Sequence, residues 1–260
     1  MQWHDQGMIL AAKRFGEHAL KLDVFTAQHG RAAGLIKGGA SKKRRAQFDI
    51  GNMVALTWRG RLSEQLGQFT VELLEQPASK AMHHPLGLAV LGSASGLLHQ
   101  CLAENHPEPA LYQQYTQLLS SLAGQQLPLL SHYIRFEVEL LAASGFPLDL
   151  QRCAATGVTE HLCYLSPKSG RAVSASAGKP YHDRLFALPN FMCTPDAVAA
   201  DIGEVMQAFQ ITSYFLDHLA TDLLHAPLCD ARTRLLEQYQ RAAKDPISMI
   251  GHNSDTMEMS

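Results

Sequence analysis

Ala19-Leu-Lys-Leu-Asp-Val-Phe-Thr26, a turn at His29-Gly30 and then Arg31-Ala-Ala-Gly-Leu-Ile-Lys37 decide the fold of the N-terminal part of the chain. Both segments are short and rich in apolar residues, and a glycine-containing turn joins them, which is typical of a hairpin. Three further segments of this kind lie at residues 6–12, 53–59 and 68–74. Five short strands separated by regularly spaced turns predict a small antiparallel barrel. At this size we expect an OB-fold, with an SH3-like barrel as the alternative.

Beyond residue 78 the apolar residues recur every three or four positions, which predicts helices. The predicted helices cover residues 86–102, 109–125, 129–144, 195–210, 213–224 and 230–244. Pro195-Asp196 is expected to open the fourth of these, because both residue types favour a helix N-terminus. The chain is therefore predicted to be an α+β protein with three parts. These are an OB-fold domain at 1–78, a helical domain at 79–245 with an irregular insertion at about 150–192, and a disordered tail at 246–260.

Positive charge is concentrated in the barrel, although the whole chain carries a net charge of −2. Residues 1–80 contain 12 Lys and Arg against 7 Asp and Glu, whereas residues 81–260 contain 10 against 17. The stretch Lys37-Gly-Gly-Ala-Ser-Lys-Lys-Arg-Arg45 predicts a mobile, positive loop that suits a polyanion. Trp58-Arg59-Gly60-Arg61 adds two cations and an aromatic that either fills the core or stacks on a base. The predicted phosphate contacts are Arg31, Lys37, Lys42, Lys43, Arg44, Arg45, Arg59 and Arg61, and Lys13 and Arg14 would extend them.

Catalytic patterns are incomplete throughout the chain. Gly34 and Gly39 have the spacing of a phosphate loop, but Ala40-Ser41 follows where Lys-Ser/Thr is required. The segment 92–96 lacks the central serine of a nucleophile elbow. We therefore predict a protein that is not an enzyme. Polar residues at the start of the chain, an odd number of cysteines and the lack of a long apolar run predict a cytoplasmic protein.

Several motifs resemble the RecO family of bacterial recombination mediators over nearly the whole chain. The N-terminal motifs are Trp3-x-Asp5-x-Gly7-x-Ile9-Leu10, Phe15-Gly16-Glu17, Asp23-Val24-Phe25-Thr26-x-x-His29-Gly30-Arg31, Lys37-Gly38-Gly39-Ala40-Ser41-Lys42 and Trp58-Arg59-Gly60-Arg61. The later motifs are Arg135-Phe136-Glu137, Gly145-Phe146-x-Leu148-Asp149-Leu150, Cys153-x-x-Thr156-Gly157 and Tyr164-x-Ser166-Pro167-x-Ser169-Gly170.

The resemblance implies an N-terminal OB-fold and a helical domain with a zinc-finger-like insertion. It also implies binding of single- and double-stranded DNA, annealing of complementary strands and association with the nucleoid. The implied partners are RecR and the acidic C-terminal tail of single-strand binding protein, so that RecA is loaded on coated strands. Some members hold zinc with four cysteines. This chain matches at Cys153 and Cys163 alone, so we expect no cofactor and retain these thiols as weak candidates for zinc.

Two other classes of function remain open from the residues. One is an OB-fold scaffold that binds protein without direct DNA contact. The other is an enzyme acting on nucleic acid, with a metal in the region from Cys153 to His182. In the helical domain, Arg135 or Arg152 is a candidate anchor for a partner's carboxylate.

Overall fold

The N-terminal part of the chain folds into a closed five-stranded barrel. The computed structural model describes residues 1–61 and 66–244, apart from the side chains of Lys42, Lys43 and residues 238–244. The strands are β1 (Gln2–Phe15), β2 (Ala19–Thr26), β3 (Gly30–Ile36), β4 (Met53–Arg59) and β5 (Gly67–Glu75). They close in the order β1-β2-β3-β5-β4, and only the β3–β5 pair is parallel. The predicted OB-fold barrel is confirmed, with one parallel pair in place of a wholly antiparallel barrel.

Strand β1 closes the barrel because it pairs with a strand on each of its two edges. Its first half, residues 2–8, pairs with β4, and its second half, residues 7–15, pairs with β2. A register shift between Ile9 and Ala11 marks a bulge, which lets the strand bend between its two partners. On the opposite side β3 reaches β5 at Gly34, where a Cβ would lie 2.6 Å from the Phe69 ring. Glycine is therefore required at this contact.

A short 3-10 helix, Lys42–Phe48, connects β3 to β4. The sequence predicted a loop over residues 37–45, and the structure instead has a helix from Lys42 onward. Phe48 is 3% exposed and packs in the barrel core, so it anchors the segment. The side-chain amide of Asn52 donates to the carbonyl oxygens of Ala46 at 2.9 Å and Gln47 at 3.3 Å. An apolar anchor and two hydrogen bonds thus hold the basic segment against the barrel.

The rest of the described chain is mainly helical. The helices are α1 (Pro77–Lys80), α2 (Pro85–Cys101), α3 (Pro109–Ser121), α4 (Gln126–Ala143), α5 (Ala175–Gly178), α6 (Asn190–Cys193), α7 (Ile202–Leu219) and α8 (Asp230–Lys244). The predictions for α2, α3, α4 and α8 are confirmed in position to within a few residues. Among the described helices, none is long and apolar enough to cross a membrane. The predicted disordered tail at 246–260 lies outside the described residues.

Helix α7 replaces the two helices that were predicted at 195–210 and 213–224. Asp196 has a φ of 60°, in the left-handed region, and cannot begin a helix. Asp201 is the N-cap instead, because its Oδ1 accepts a hydrogen bond from the Glu204 amide at 2.9 Å. The helix then runs without a break into a π-helical turn at Ala220–Leu224. The helix start predicted at Asp196 is therefore wrong, because Asp201, five residues downstream, caps the helix.

The insertion contains a small three-stranded sheet. Its strands are β6 (Leu162–Leu165), β7 (Ala172–Ser174) and β8 (Phe186–Ala187), with β6 in the centre. Helix α5 and a 3-10 helix, Lys179–Arg184, lie between β7 and β8. Leu165 and Ala172 are fully buried, and they belong to the same apolar core as the long helices. The insertion therefore packs as part of the helical domain.

A buried ion pair joins three of the long helices. Glu137 of α4 is fully buried, and its carboxylate accepts hydrogen bonds from Arg232 Nε at 2.7 Å and Nη2 at 3.3 Å. Thr212 of α7 donates to the same carboxylate at 2.5 Å. Because a buried charge without a partner is costly, the three groups hold α4, α7 and α8 together as a unit.

The barrel and the helical domain meet along β1, whose Met8 and Leu10 belong to the helical core, and on the outward faces of β2 and β3. Arg31 of β3 lies at the centre of this contact, because its Nε donates to the Leu102 carbonyl at 2.9 Å and its Nη2 lies 3.3 Å from Glu104. Its Nη1 lies 3.4 Å from Asp23 of β2, whose side chain is 2% exposed. Phe25 on β2 continues the apolar core of the helical domain. The two parts are thus joined by both charge and apolar packing.

Asp23 is surrounded by cations at this contact. Lys21 Nζ lies 3.9 Å from its carboxylate and His99 Nε2 lies 3.7 Å from it. Burial acts to raise the pKa of Asp23, but the hydrogen bond to His99 and the charges of Lys21, His99 and Arg31 outweigh it. The net result is a pKa below the usual 3.8. Asp23 therefore stabilises the fold while it is ionised.

We expect Asp23→Asn to be less stable than the wild type near neutral pH, since it removes the charge that Arg31 and Lys21 face. The wild-type pKa is lower in the folded state, so its advantage exists above the ordinary pKa of 3.8 and is lost as the pH falls below it. Urea unfolding at several pH values should show a difference in free energy of unfolding between wild type and Asp23→Asn that becomes smaller in acid. Asp49→Asn, at an exposed position, is the control. If both variants differed from the wild type with the same pH dependence, the stabilising role of ionised Asp23 would be contradicted.

We expect Arg232→Met to lower the free energy of unfolding by about 3–5 kcal/mol, because it leaves the Glu137 carboxylate buried without a cation. The double variant Glu137→Gln with Arg232→Met should recover part of this loss, since no buried charge remains. Urea unfolding of the two single variants and the double variant measures the coupling. Strictly additive losses would mean that the pair is not coupled.

Candidate nucleic-acid interface

Strand register aligns a row of outward-facing side chains around the barrel. Residues directly opposite each other on neighbouring strands point to the same face, and neighbouring strands are about 4.8 Å apart. The residues that are opposite one another in turn are Lys13, Lys21, Leu35, Gln68, Arg59 and Gln2. Three of the six are cations, and they come from β1, β2 and β4. The register thus brings cations that are far apart in the sequence into one row on the outer surface, and because the barrel is closed this row runs around it from β1 back to β1.

Lys37 and Arg61 extend this row. Lys37 is exposed two residues after Leu35, and alternate residues of a strand share a face. Exposed Arg61 lines a cleft of about 620 Å³ together with Arg59 and Gln2. We call the five cations Lys13, Lys21, Lys37, Arg59 and Arg61 the cationic face. It extends over the outer surface of the closed barrel from β1 and β2 at Lys13 and Lys21 to Arg59 and Arg61 at the end of β4. Lys21 and Lys37 border the β2–β3 surface, where OB-folds bind oligonucleotides.

The cationic face is not arranged for stability alone. Lys13 and Lys21 are directly opposite on an antiparallel pair, where two like charges repel. Lys21 has one acidic neighbour, Asp23, at the long distance of 3.9 Å. Arg59 donates from Nε to the neutral Gln2 side chain at 2.9 Å, so its positive charge is not neutralised there. A surface of this kind retains charge for an anionic ligand.

Trp58 is a core residue, so the alternative in which it stacks on a base is wrong. It is 3% exposed, and its indole nitrogen donates to the Ala33 carbonyl at 3.3 Å. Gly60 and Gly67 lie against its ring, where a Cβ on either would come within 2.4 Å of it. Because neither glycine carries a Cβ, the backbone at Gly60 and Gly67 can approach the indole closely, and Arg59 and Arg61 on either side of Gly60 are exposed.

The basic 3-10 helix provides a second group of cations beyond Lys37. Arg45 is exposed, whereas Arg44 is half-buried with its guanidinium 5.2 Å from the centre of the Phe48 ring. Arg44 Nε also donates to the Gln47 side chain at 3.2 Å. The side chains of Lys42 and Lys43 lie outside the described part of the chain. Within the described residues neither arginine forms an ion pair, so both stay in the candidate set.

Arg31 does not join the cationic face. Its side chain is 15% exposed, and its guanidinium contacts Asp23, Glu104 and the Leu102 carbonyl. A phosphate would have to displace these partners and separate the two domains. We therefore remove Arg31 from the predicted phosphate contacts. Lys21, which the sequence reading did not select, takes its place on the neighbouring strand.

The cysteines do not form a recognisable metal centre. Cys153 is buried and its Sγ accepts a hydrogen bond from the Ser174 amide at 3.2 Å, whereas Cys163 is exposed on β6. Within the described residues, no group of three or more His, Cys, Asp or Glu side chains is placed to hold a metal ion. A structural zinc site needs four ligands. These residues therefore do not fit the zinc that the resemblance implies in some members.

Arg135 is a structural residue of the helical domain. Its Nη2 donates to the main-chain carbonyls of Phe191 at 3.0 Å and Thr194 at 3.3 Å, and also to that of Ala197. These contacts hold the segment before α7 and leave no place for a partner's carboxylate at this nitrogen. Arg152 is exposed.

Comparison with known proteins agrees with this architecture. The sequence model described as "Recombination protein O N terminal" matches residues 1–77, and "Recombination protein O C terminal" matches residues 82–223. A DNA repair protein RecO from Hyphomonas neptunium is 42% identical over 241 residues, which are 92% of this chain and 98% of the relative. The RecO of Rhodospirillum centenum is 42% identical over 93% of this chain and 96% of the relative.

A third relative, the DNA repair protein RecO of Methylobacterium nodulans, is 45% identical over 222 residues, or 84% of this chain and 89% of its own length. The matched ranges of the two family models include the motifs from Trp3 to Gly170. The chain belongs to the RecO family of DNA repair proteins.

Proposed function

We propose that the protein binds DNA through the cationic face and acts as a mediator of recombinational repair. The observation that carries the proposal is the cross-strand alignment of Lys13, Lys21 and Arg59 in one row on the outer surface of the barrel, which crosses the β2–β3 surface that OB-folds use for oligonucleotides. We further propose phosphate contacts at six other cations of the basic N-terminal third: Lys37, Lys42, Lys43, Arg44, Arg45 and Arg61.

The proposed binding is largely indifferent to base sequence. Lysine and arginine at the surface contact phosphates, which are the same in every nucleotide, and such contacts carry no sequence information directly. Leu35 lies between Lys21 and Gln68 in the row, and it offers an apolar surface to a sugar or base. The proposal therefore predicts affinity that depends strongly on salt and weakly on sequence.

Membership of the RecO family supports the finer parts of the proposal. We propose that the protein binds single and double strands, anneals complementary strands and, with RecR, helps to load RecA on strands coated by single-strand binding protein. Annealing requires two polyanions to approach, and the cationic face would lower their repulsion. We propose a cytoplasmic, nucleoid-associated protein that does not modify the DNA.

We expect the triple variant Lys21→Gln, Lys37→Gln and Arg59→Gln to bind oligothymidine at least about tenfold more weakly, because it removes three phosphate contacts. Each contact contributes about 0.7 to the slope of log K against log salt on single strands, so the slope should flatten by roughly 2. Fluorescence anisotropy over a series of salt concentrations measures both quantities.

The matched control replaces three exposed cations outside the cationic face: Lys80→Gln, Lys168→Gln and Arg184→Gln. It removes the same charge from the protein and should leave the slope unchanged. Equal losses in the two variants would contradict a local site. Binding that is insensitive to salt in the wild type would favour the alternative, an OB-fold scaffold that contacts protein.

A further inference from the structure

Three aromatic rings form a stack at the end of the barrel where β1 begins and β4 ends. The rings of Trp3 and His29 are 4.0 Å apart and inclined by 10°. Trp3 is also parallel to Trp58, at 5.9 Å and 8°, and Phe69 meets Trp3 edge-on at 6.2 Å. His29 is therefore the outermost ring of a stack whose inner end lies in the barrel core.

Hydrogen bonds hold the His29 ring in one orientation. The Asp5 side chain is 3% exposed, and its Oδ2 accepts from His29 Nδ1 at 2.9 Å. The same carboxylate accepts hydrogen bonds from the main-chain amide of Gln28 at 2.9 Å and from the main-chain amide of Gln6 at 2.8 Å. The His29 amide donates to Thr26 Oγ1 at 3.1 Å. Because both the ring and its main chain are fixed, the ring is preorganised before any ligand arrives.

The outer side of the His29 ring is available to a ligand. The side chain is 31% exposed, while Trp3 covers one face and Asp5 takes Nδ1. The stack also adjoins the cationic face. Trp3 is opposite Trp58 in the β1–β4 pair, and Arg59 follows Trp58 directly. Gln2, which precedes Trp3, accepts the hydrogen bond from Arg59.

We propose that the outer face of His29, supported by Trp3, stacks on one unpaired base of a DNA strand whose phosphates contact Arg59 and Arg61. This inference rests on the proposed function and adds a base contact to it. Stacking on an aromatic ring does not depend on base identity, so it is compatible with binding of any sequence. Bases in a duplex are already stacked on each other. The His29 position therefore favours single strands over double strands.

The rigidity of the stack is what makes the contact favourable. A ring that is already ordered loses little conformational entropy when a base packs against it. Trp3 behind the ring also prevents His29 from tilting inward under the base. A flexible surface histidine would have neither property.

The test compares His29→Phe, which keeps a ring over Trp3 and loses the donor to Asp5, with His29→Gln, which keeps a donor and loses the ring. The probes are oligothymidine, an oligomer of abasic residues of equal length, and a duplex. We expect His29→Gln to bind oligothymidine about tenfold more weakly and His29→Phe to bind it like the wild type. Neither variant should change binding of the abasic strand or the duplex, and the salt slope should stay constant.

The opposite order, with His29→Gln normal and His29→Phe weak, would overturn the inference, because the bond to Asp5 would then matter and the ring would not. An equal loss on oligothymidine and on the abasic strand would also overturn it. Thermal unfolding of both variants checks that the barrel is intact. If one variant does not fold, the wild type alone still tests the inference. It must bind oligothymidine more tightly than the abasic strand, and equal affinity for the two would overturn the base contact. Failure of the proposed function is distinct, since the wild type would then show no salt-dependent binding to any probe.

Discussion

The pairing of Lys13 with Lys21, of Lys21 with Leu35 and of Gln68 with Arg59 sets the direction of every cation in the row. A slip of one residue in any of these pairs would turn the side chains of that strand to the other face. The register is fixed by the barrel core, where Leu22, Val54 and Leu56 must point inward. The burial of apolar residues thus determines where the charge appears, and the candidate interface depends on the packing beneath it.

The structure divides the cations of the barrel into two kinds. Arg31 is tied to Asp23 and Glu104, and it joins the barrel to the helical domain. Lys21, opposite Leu35 on the same two strands, keeps more than a third of its side chain exposed. The edge of the helical domain on the β2–β3 surface therefore separates the cations that join the two domains from the cations that stay exposed. Asp23 touches both kinds, which places the interface directly beside the contact between domains.

Much of the fold could be predicted from the sequence because its elements depend on local patterns. The alternation in β2 and β4 and the three- and four-residue spacing in α2 to α4 are of this type. Errors arose where distant contacts decide. Arg31 faces the helical domain and not a ligand because it pairs with Glu104, which lies 73 positions later in the chain. Lys21 stands outside any basic run, and only the register shows that it lies opposite Lys13. The 3-10 helix depends on Phe48 reaching the core, which a run of cations conceals.

Chemical footprinting of lysines tests the central claim most directly. The protein would be acetylated briefly with and without saturating oligothymidine, and the extent at each lysine would be read by mass spectrometry. The account predicts that Lys13, Lys21 and Lys37 are protected by DNA, while exposed Lys80, Lys168 and Lys179 react equally in both samples. Protection spread evenly over all six lysines, or confined to the last three, would contradict a DNA path across the barrel.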